Sequence, residues 1–204
     1  MNSQPLTKEL TSQLVKIEGE CRGATIETDW DYIFHQKGQS GINKLEAKMA
    51  SLGYPLKYKQ IKTLSFYPLG LEALSMLAIK KLFNLSDQEF EEMGALAVQH
   101  SFLMKVFLKY FVSLELISEQ IPKIWHRHYS IGDLNMSEFS QKKRYAILML
   151  KNFPLPPSVH NLYWAVFRGF YSKVTQIIVQ FPVTCQDSDC KSGEKPCRQF
   201  LLKW

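Results

Sequence analysis

The sequence predicts an α+β fold in which an N-terminal helical bundle packs on a small antiparallel sheet. Three observations carry this. Apolar residues recur at helical spacing through 21–131, runs of β-branched and aromatic residues take over in 132–204, and the two patterns are segregated along the chain rather than alternating. At 204 residues the length suits one domain. It divides into a polar leader over 1–20, a mainly helical part over 21–131, and a β-β-α-β-β part over 132–204 whose two hairpins with a helix between them form most of the sheet.

Gly23 to Ile26 suits a short strand or turn, and Thr28 or Asp29 can cap a first helix that ends at Gly38. A second helix follows from Gly41 to Leu52, with Ile42, Leu45, Met49 and Leu52 on one face and Gly53 and Pro55 as its stop. Pro68 opens a helix with a Leu71, Leu74, Leu77, Ala78, Leu82 stripe that ends near Asn84. Ser86 and Glu89 form a capping box for the next helix, since each side chain can satisfy a backbone amide of the other. From Phe102 to Leu114 the apolar residues cover nearly every side, which predicts a central helix. A helix over 118–129 is compatible with Pro122 only if that proline lies in the first turn. Tyr145 to Leu150 and Val174 to Phe181 read as strands, Ser158 to Tyr171 as a helix, and Arg198 to Trp204 as a last strand with Phe200, Leu202 and Trp204 on one face.

An apolar fraction of 46% and a charged fraction of 22% exclude disorder, collagen-like repeats and disulfide-dense miniproteins. The net charge of +6 is scattered, and neither the Lys57, Lys59, Lys62 group nor the Lys142, Lys143, Arg144 group has the aromatic interleaving of a nucleic-acid surface. No nucleic-acid partner is expected. The leader has no apolar core for a signal peptide, and the most apolar stretch, 101–117, is broken by Lys105, Lys109 and Glu115, so no membrane span is expected. These features point to a cytoplasmic domain with cysteines that are reduced thiols or metal ligands.

The C-terminal segment brings Cys190, Gly193, Cys197 and Phe200 into a strand, cysteine turn, strand order that resembles the closing hairpin of the 4-vinyl reductase domain family. The paired Pro156 and Pro157 before the late helix, and the approach over 121–129, are similar to a related myxobacterial family of unknown function. The resemblance implies a ligand-binding fold shared with haem and nitric-oxide sensors, aromatic-sensing regulators and a vesicle-tethering subunit, with an apolar pocket between helices and sheet. It also implies a homodimer or a regulatory protein partner, and a structural zinc held by Cys190 and Cys197 with Cys185 or Asp187. By the residues themselves, Cys185, Cys190 and Cys197 remain open to three readings: a zinc site, reduced thiols, or a disulfide joining Cys185 to Cys190 or to Cys197.

Phe107, Tyr110, Phe111, Trp125, Trp164 and Phe167 are aromatics able to line a pocket for an apolar or aromatic small molecule. Arg168, four residues after Trp164, could add a cation for a carboxylate. His126 and His128 point about 200° apart on a helix and so cannot share one metal. Haem ligation by either, or by His100, is the weakest reading. No phosphate loop, nucleophile elbow, zincin motif or usable carboxylate pair is present in the sequence, and no enzyme is expected. The function that follows is a small-molecule-binding sensory domain; a protein-interaction domain with a filled pocket is the alternative.

Overall fold

The computed structural model describes residues 6–100, 114–190 and 196–204. In chain order the elements are α1 (Lys8–Leu14), β1 (Glu20–Arg22), α2 (Gly23–Ser51), β2 (Phe66–Pro68), α3 (Leu69–Phe83), α4 (Asp87–His100), α5 (Leu114–Ser118) and α6 (Ile121–His128). Then come β3 (Asp133–Ser140), β4 (Tyr145–Lys151), α7 (Pro157–Val179), β5 (Thr184–Asp189) and β6 (Cys197–Lys203). The last four strands form one antiparallel sheet in the order β3-β4-β6-β5, while β1 and β2 pair separately. The segregated α+β architecture is the expected one.

Local chemistry accounts for several boundaries. The Ser86 amide donates to Glu89 Oε2 at 2.7 Å and the Glu89 amide to Ser86 Oγ at 3.2 Å, the reciprocal box that starts α4. Asn84 closes α3 in the left-handed conformation at φ 50°, which asparagine tolerates better than most residues. Pro122 falls in the first turn of α6, where its missing N–H has no helical partner to lose.

Two segments differ from expectation. The two helices expected over 28–38 and 41–52 are present end to end within α2 and are divided at Gly38, whose φ of 63° and ψ of -164° are not helical; what differs is that the first begins at Gly23. Asp29 is therefore an interior helix residue rather than a cap. Val174 to Phe181 is not a strand. Its β-branched residues continue α7 to Val179, with Thr175 buried and Ile177 exposed, because packing of the helix outweighs the modest helix penalty of such side chains. The strand β5 lies instead in the polar Thr184–Asp189, at the sheet edge. The expected central helix from Phe102 lies outside the described residues up to Leu114.

Helices α4 and α7 cross at backbone contact. A Cβ added at Gly94 would lie 1.9 Å from the Val166 carbonyl oxygen, and one at Gly169 would lie 1.8 Å from that of Glu91. The crossing is clamped by charge: Arg168 of α7 pairs with Glu91 of α4 at 2.8 Å and with Asp187 of β5, and Asp187 also takes Arg198 of β6. On the sheet, Ala146, Leu148 and Leu150 of β4 alternate inward and join Phe200 and Leu202 of β6 against the helices.

Candidate functional site

Between the inner face of the sheet and the helices lies a cavity that opens to solvent. Most of its wall is apolar. Leu134, Leu148 and Leu202 supply the floor from three strands, and Trp125 of α6 with Phe167 of α7 supply aromatic sides. Trp125 is fixed by its indole N–H, which donates to the Ile131 carbonyl at 3.0 Å, and its ring stacks on Tyr129 at 4.6 Å.

One end of the cavity is polar and acidic. Glu72, in the first turn of α3, accepts the Tyr129 hydroxyl at 3.2 Å and the Tyr163 hydroxyl at 3.0 Å. Burial lifts its carboxyl to about 7, while hydrogen bonds from Thr25, Tyr163, Tyr129 and Cys21 pull the other way. Asp29 of α2 also lines the wall, 5% exposed. Burial first, and the neighbouring Glu72 and Asp31 next, push it well above the usual carboxylate range. Tyr171 of α7 lines the same cavity, and its buried hydroxyl has no hydrogen-bond partner among the described residues.

His128 lies on the cavity wall at the end of α6. Burial, with Arg22 and Arg127 nearby, pushes its imidazole down to about 4, so it is neutral near pH 7 and keeps a nitrogen lone pair free for a metal. His126, two residues earlier, points away. It is half-exposed and lies 3.7 Å from Asp133. His160 meets the Leu155 carbonyl at 2.5 Å, and His100 is the last residue of α4.

Of the aromatics read from sequence, Trp125 and Phe167 line the cavity. Trp164 is buried against Phe200, and it is the Arg198 guanidinium, not that of Arg168, that lies over its ring at 5.7 Å. Phe107, Tyr110 and Phe111 lie outside the described residues. Glu72, Tyr129, Tyr171 and the cavity placement of Asp29 and His128 were not picked out in the sequence; the two tyrosine contacts to Glu72 span 57 and 91 residues, beyond any local motif.

The zinc expectation is overturned. Cys190 and Cys197 are joined in a disulfide, a pairing different from either considered for Cys185, and Asp187 is engaged by two arginines. Cys185 is a free thiol that burial, and then Asp187, push up to about 12, the opposite of a thiolate ligand. No group of three metal-ligating side chains occurs among the described residues. None of the described helices is long and apolar enough to cross a membrane.

No family model matches the sequence, and no curated protein does. The fold, however, is that of haem-NO-binding (H-NOX) domains. An H-NOX protein from S. oneidensis in the Fe(II)NO ligation state superposes with a TM-score of 0.64 at 13% identity, covering 89% of this chain and 98% of that one. An H-NOX protein from K. algicida, in the unliganded Fe(II) form, gives 0.61 at 10% identity, covering 89% and 95%. An oxygen-binding H-NOX domain related to soluble guanylate cyclases gives 0.60 at 10% identity, covering 89% and 94%. The likeness is one of fold, and the narrower resemblance to 4-vinyl reductase domains gains no support from it. It also corrects the ranking of haem as the weakest cofactor, since the structures that share the fold across nearly the whole chain include Fe(II) proteins and one described by its haem redox potential.

Proposed function

We propose that this chain is a haem-dependent sensory domain, with the cavity between the helices and the sheet holding the haem and the small molecule that it detects. The observation that carries the reading is His128, a buried imidazole on the wall of an apolar cavity. The likeness to H-NOX structures supports it at the level of fold. Haem, when bound, would supply an iron able to take a protein ligand and a diatomic or other small molecule.

The residues present fit such a group. Trp125, Phe167 and the sheet leucines offer apolar and aromatic surface to a macrocycle and exclude water from it. His128 on the wall, or His100 at the end of α4, would hold such a group. The unpartnered Tyr171 hydroxyl can donate to a polar atom inside the cavity.

Histidine variants test the assignment. His128→Ala or His100→Ala is expected to lose most of the haem retained by the unaltered protein after purification. His126→Ala, at a half-exposed position beside Asp133, is expected to retain it. Equal haem retention in all three variants would remove the histidine-ligated reading.

A further inference from the structure

At one end of the sheet the fold brings together groups that lie far apart in the sequence. The turn between β3 and β4 carries Lys142, Lys143 and Arg144, all exposed. Lys203 of β6 is exposed beside that turn, paired across the sheet with Tyr145 on one side and Thr184 on the other. The Trp204 amide donates to the Arg144 carbonyl at 3.1 Å, and the Arg144 guanidinium lies 4.9 Å over the ring of Phe181, just after α7. The aromatic residues missing from this basic run in the sequence are thus supplied by the fold. Phe181 is 48% exposed, and Ile177, one turn earlier in α7, is 41% exposed. Of the residues that build this end, 137–147, 176–184 and 200–204, four side chains are cationic and Glu138 alone is acidic. Arg144 holds φ 53°, a left-handed conformation that suits glycine or asparagine better than arginine, so a turn built for stability alone has an easier residue for that position.

We infer that this end of the sheet docks reversibly on an anionic lipid surface, with the cations against the headgroups and Phe181 at the boundary between headgroups and acyl chains. Clustered lysine and arginine gain from the negative potential of such a surface, and an exposed ring beside them adds apolar burial that charge alone does not supply. Single-stranded nucleic acid would use the same cations but needs open ring faces on which its bases stack. Here Trp204 is already stacked on Phe139 at 6.3 Å, and Phe181 lies under Arg144. None of these residues lines the ligand cavity, so the inference goes beyond the haem reading and does not depend on it.

Co-sedimentation of the full chain with vesicles tests it. Vesicles of equal parts phosphatidylcholine and phosphatidylserine are expected to bind the chain, and vesicles of phosphatidylcholine alone are not. Binding to the anionic vesicles should weaken as salt is raised, since exposed charges are screened over about 8 Å at physiological ionic strength. Lys142→Ala combined with Lys143→Ala is expected to weaken it about 25-fold, at roughly fivefold for each charge near such a surface. Phe181→Ser is expected to weaken it about tenfold through the apolar area no longer withdrawn from water. Lys59→Ala combined with Lys62→Ala removes the same charge elsewhere on the surface and should change binding less than about twofold. Every replaced side chain is exposed, so each variant keeps the fold. No binding to the anionic vesicles, equal binding to the neutral ones, undiminished affinity in the Lys142 and Lys143 variant, or an equal loss in the Lys59 and Lys62 variant would each overturn the inference. A chain that captures single-stranded DNA and not the vesicles would assign these cations to nucleic acid instead. One that binds the vesicles but takes up no haem refutes only the haem reading; one that takes up haem but ignores the vesicles refutes this surface alone.

Discussion

Glu72 is 2% exposed and titrates near 7 instead of its ordinary 4.5, so between those values the folded chain holds a proton that the unfolded chain has released. Its contribution to stability therefore falls as pH rises from about 4.5 to about 7, by about 3 kcal/mol at roughly 1.4 kcal/mol per pH unit. His128 acts in the opposite sense: its pKa is depressed from 6.5 to about 4, so its contribution is complete above 6.5 and is lost as pH falls toward 4. The two slopes overlap in the unaltered protein and mask each other. Glu72→Gln separates them. The stability of the variant relative to the parent should grow by about 3 kcal/mol between pH 4.5 and about 7, read from urea unfolding across that range. A difference that does not change with pH would mean that folding leaves the Glu72 carboxyl at its ordinary pKa.

At the scale of elements, the α4–α7 crossing sets the spacing between the bundle and the rest of the cavity wall. Gly169→Ala places a methyl group 1.8 Å from the Glu91 carbonyl oxygen, a position that only a backbone shift can relieve. The expected loss is about 3 kcal/mol, measured as a lower urea midpoint, whereas Gly53→Ala meets no neighbouring atom and pays only for its backbone at φ 87°. Elements whose boundaries are chemical were legible in the sequence: the Ser86 and Glu89 box, Asn84 at the end of α3, and Pro122 in the first turn of α6. Elements whose identity depends on what they pack against were not. The β-branched 174–179 stays helical because it continues a packed α7, and β5 carries no apolar alternation because its Asp187 is stabilised by arginines from α7 and β6. The site was the least legible part. Glu72 looks like a first-turn surface acid until the fold brings Tyr129 and Tyr163 to it.

For the whole molecule, the Cys190–Cys197 disulfide closes the last hairpin and leaves the sheet's outer edge constrained at one end. Replacing both cysteines by serine should lower stability by about 2 kcal/mol, as expected for a short closed loop, without altering haem uptake, because neither cysteine lines the cavity. Loss of haem together with the disulfide would instead tie the hairpin to the site. Helices from both halves of the chain and the C-terminal sheet enclose the cavity proposed to accept haem. Titration of the purified chain with haemin, followed by absorption, tests that proposal most directly. The account predicts a sharpened and shifted Soret band that saturates at one haem per chain and is lost on His128→Ala or His100→Ala. A spectrum that remains that of free haemin through the titration would contradict it.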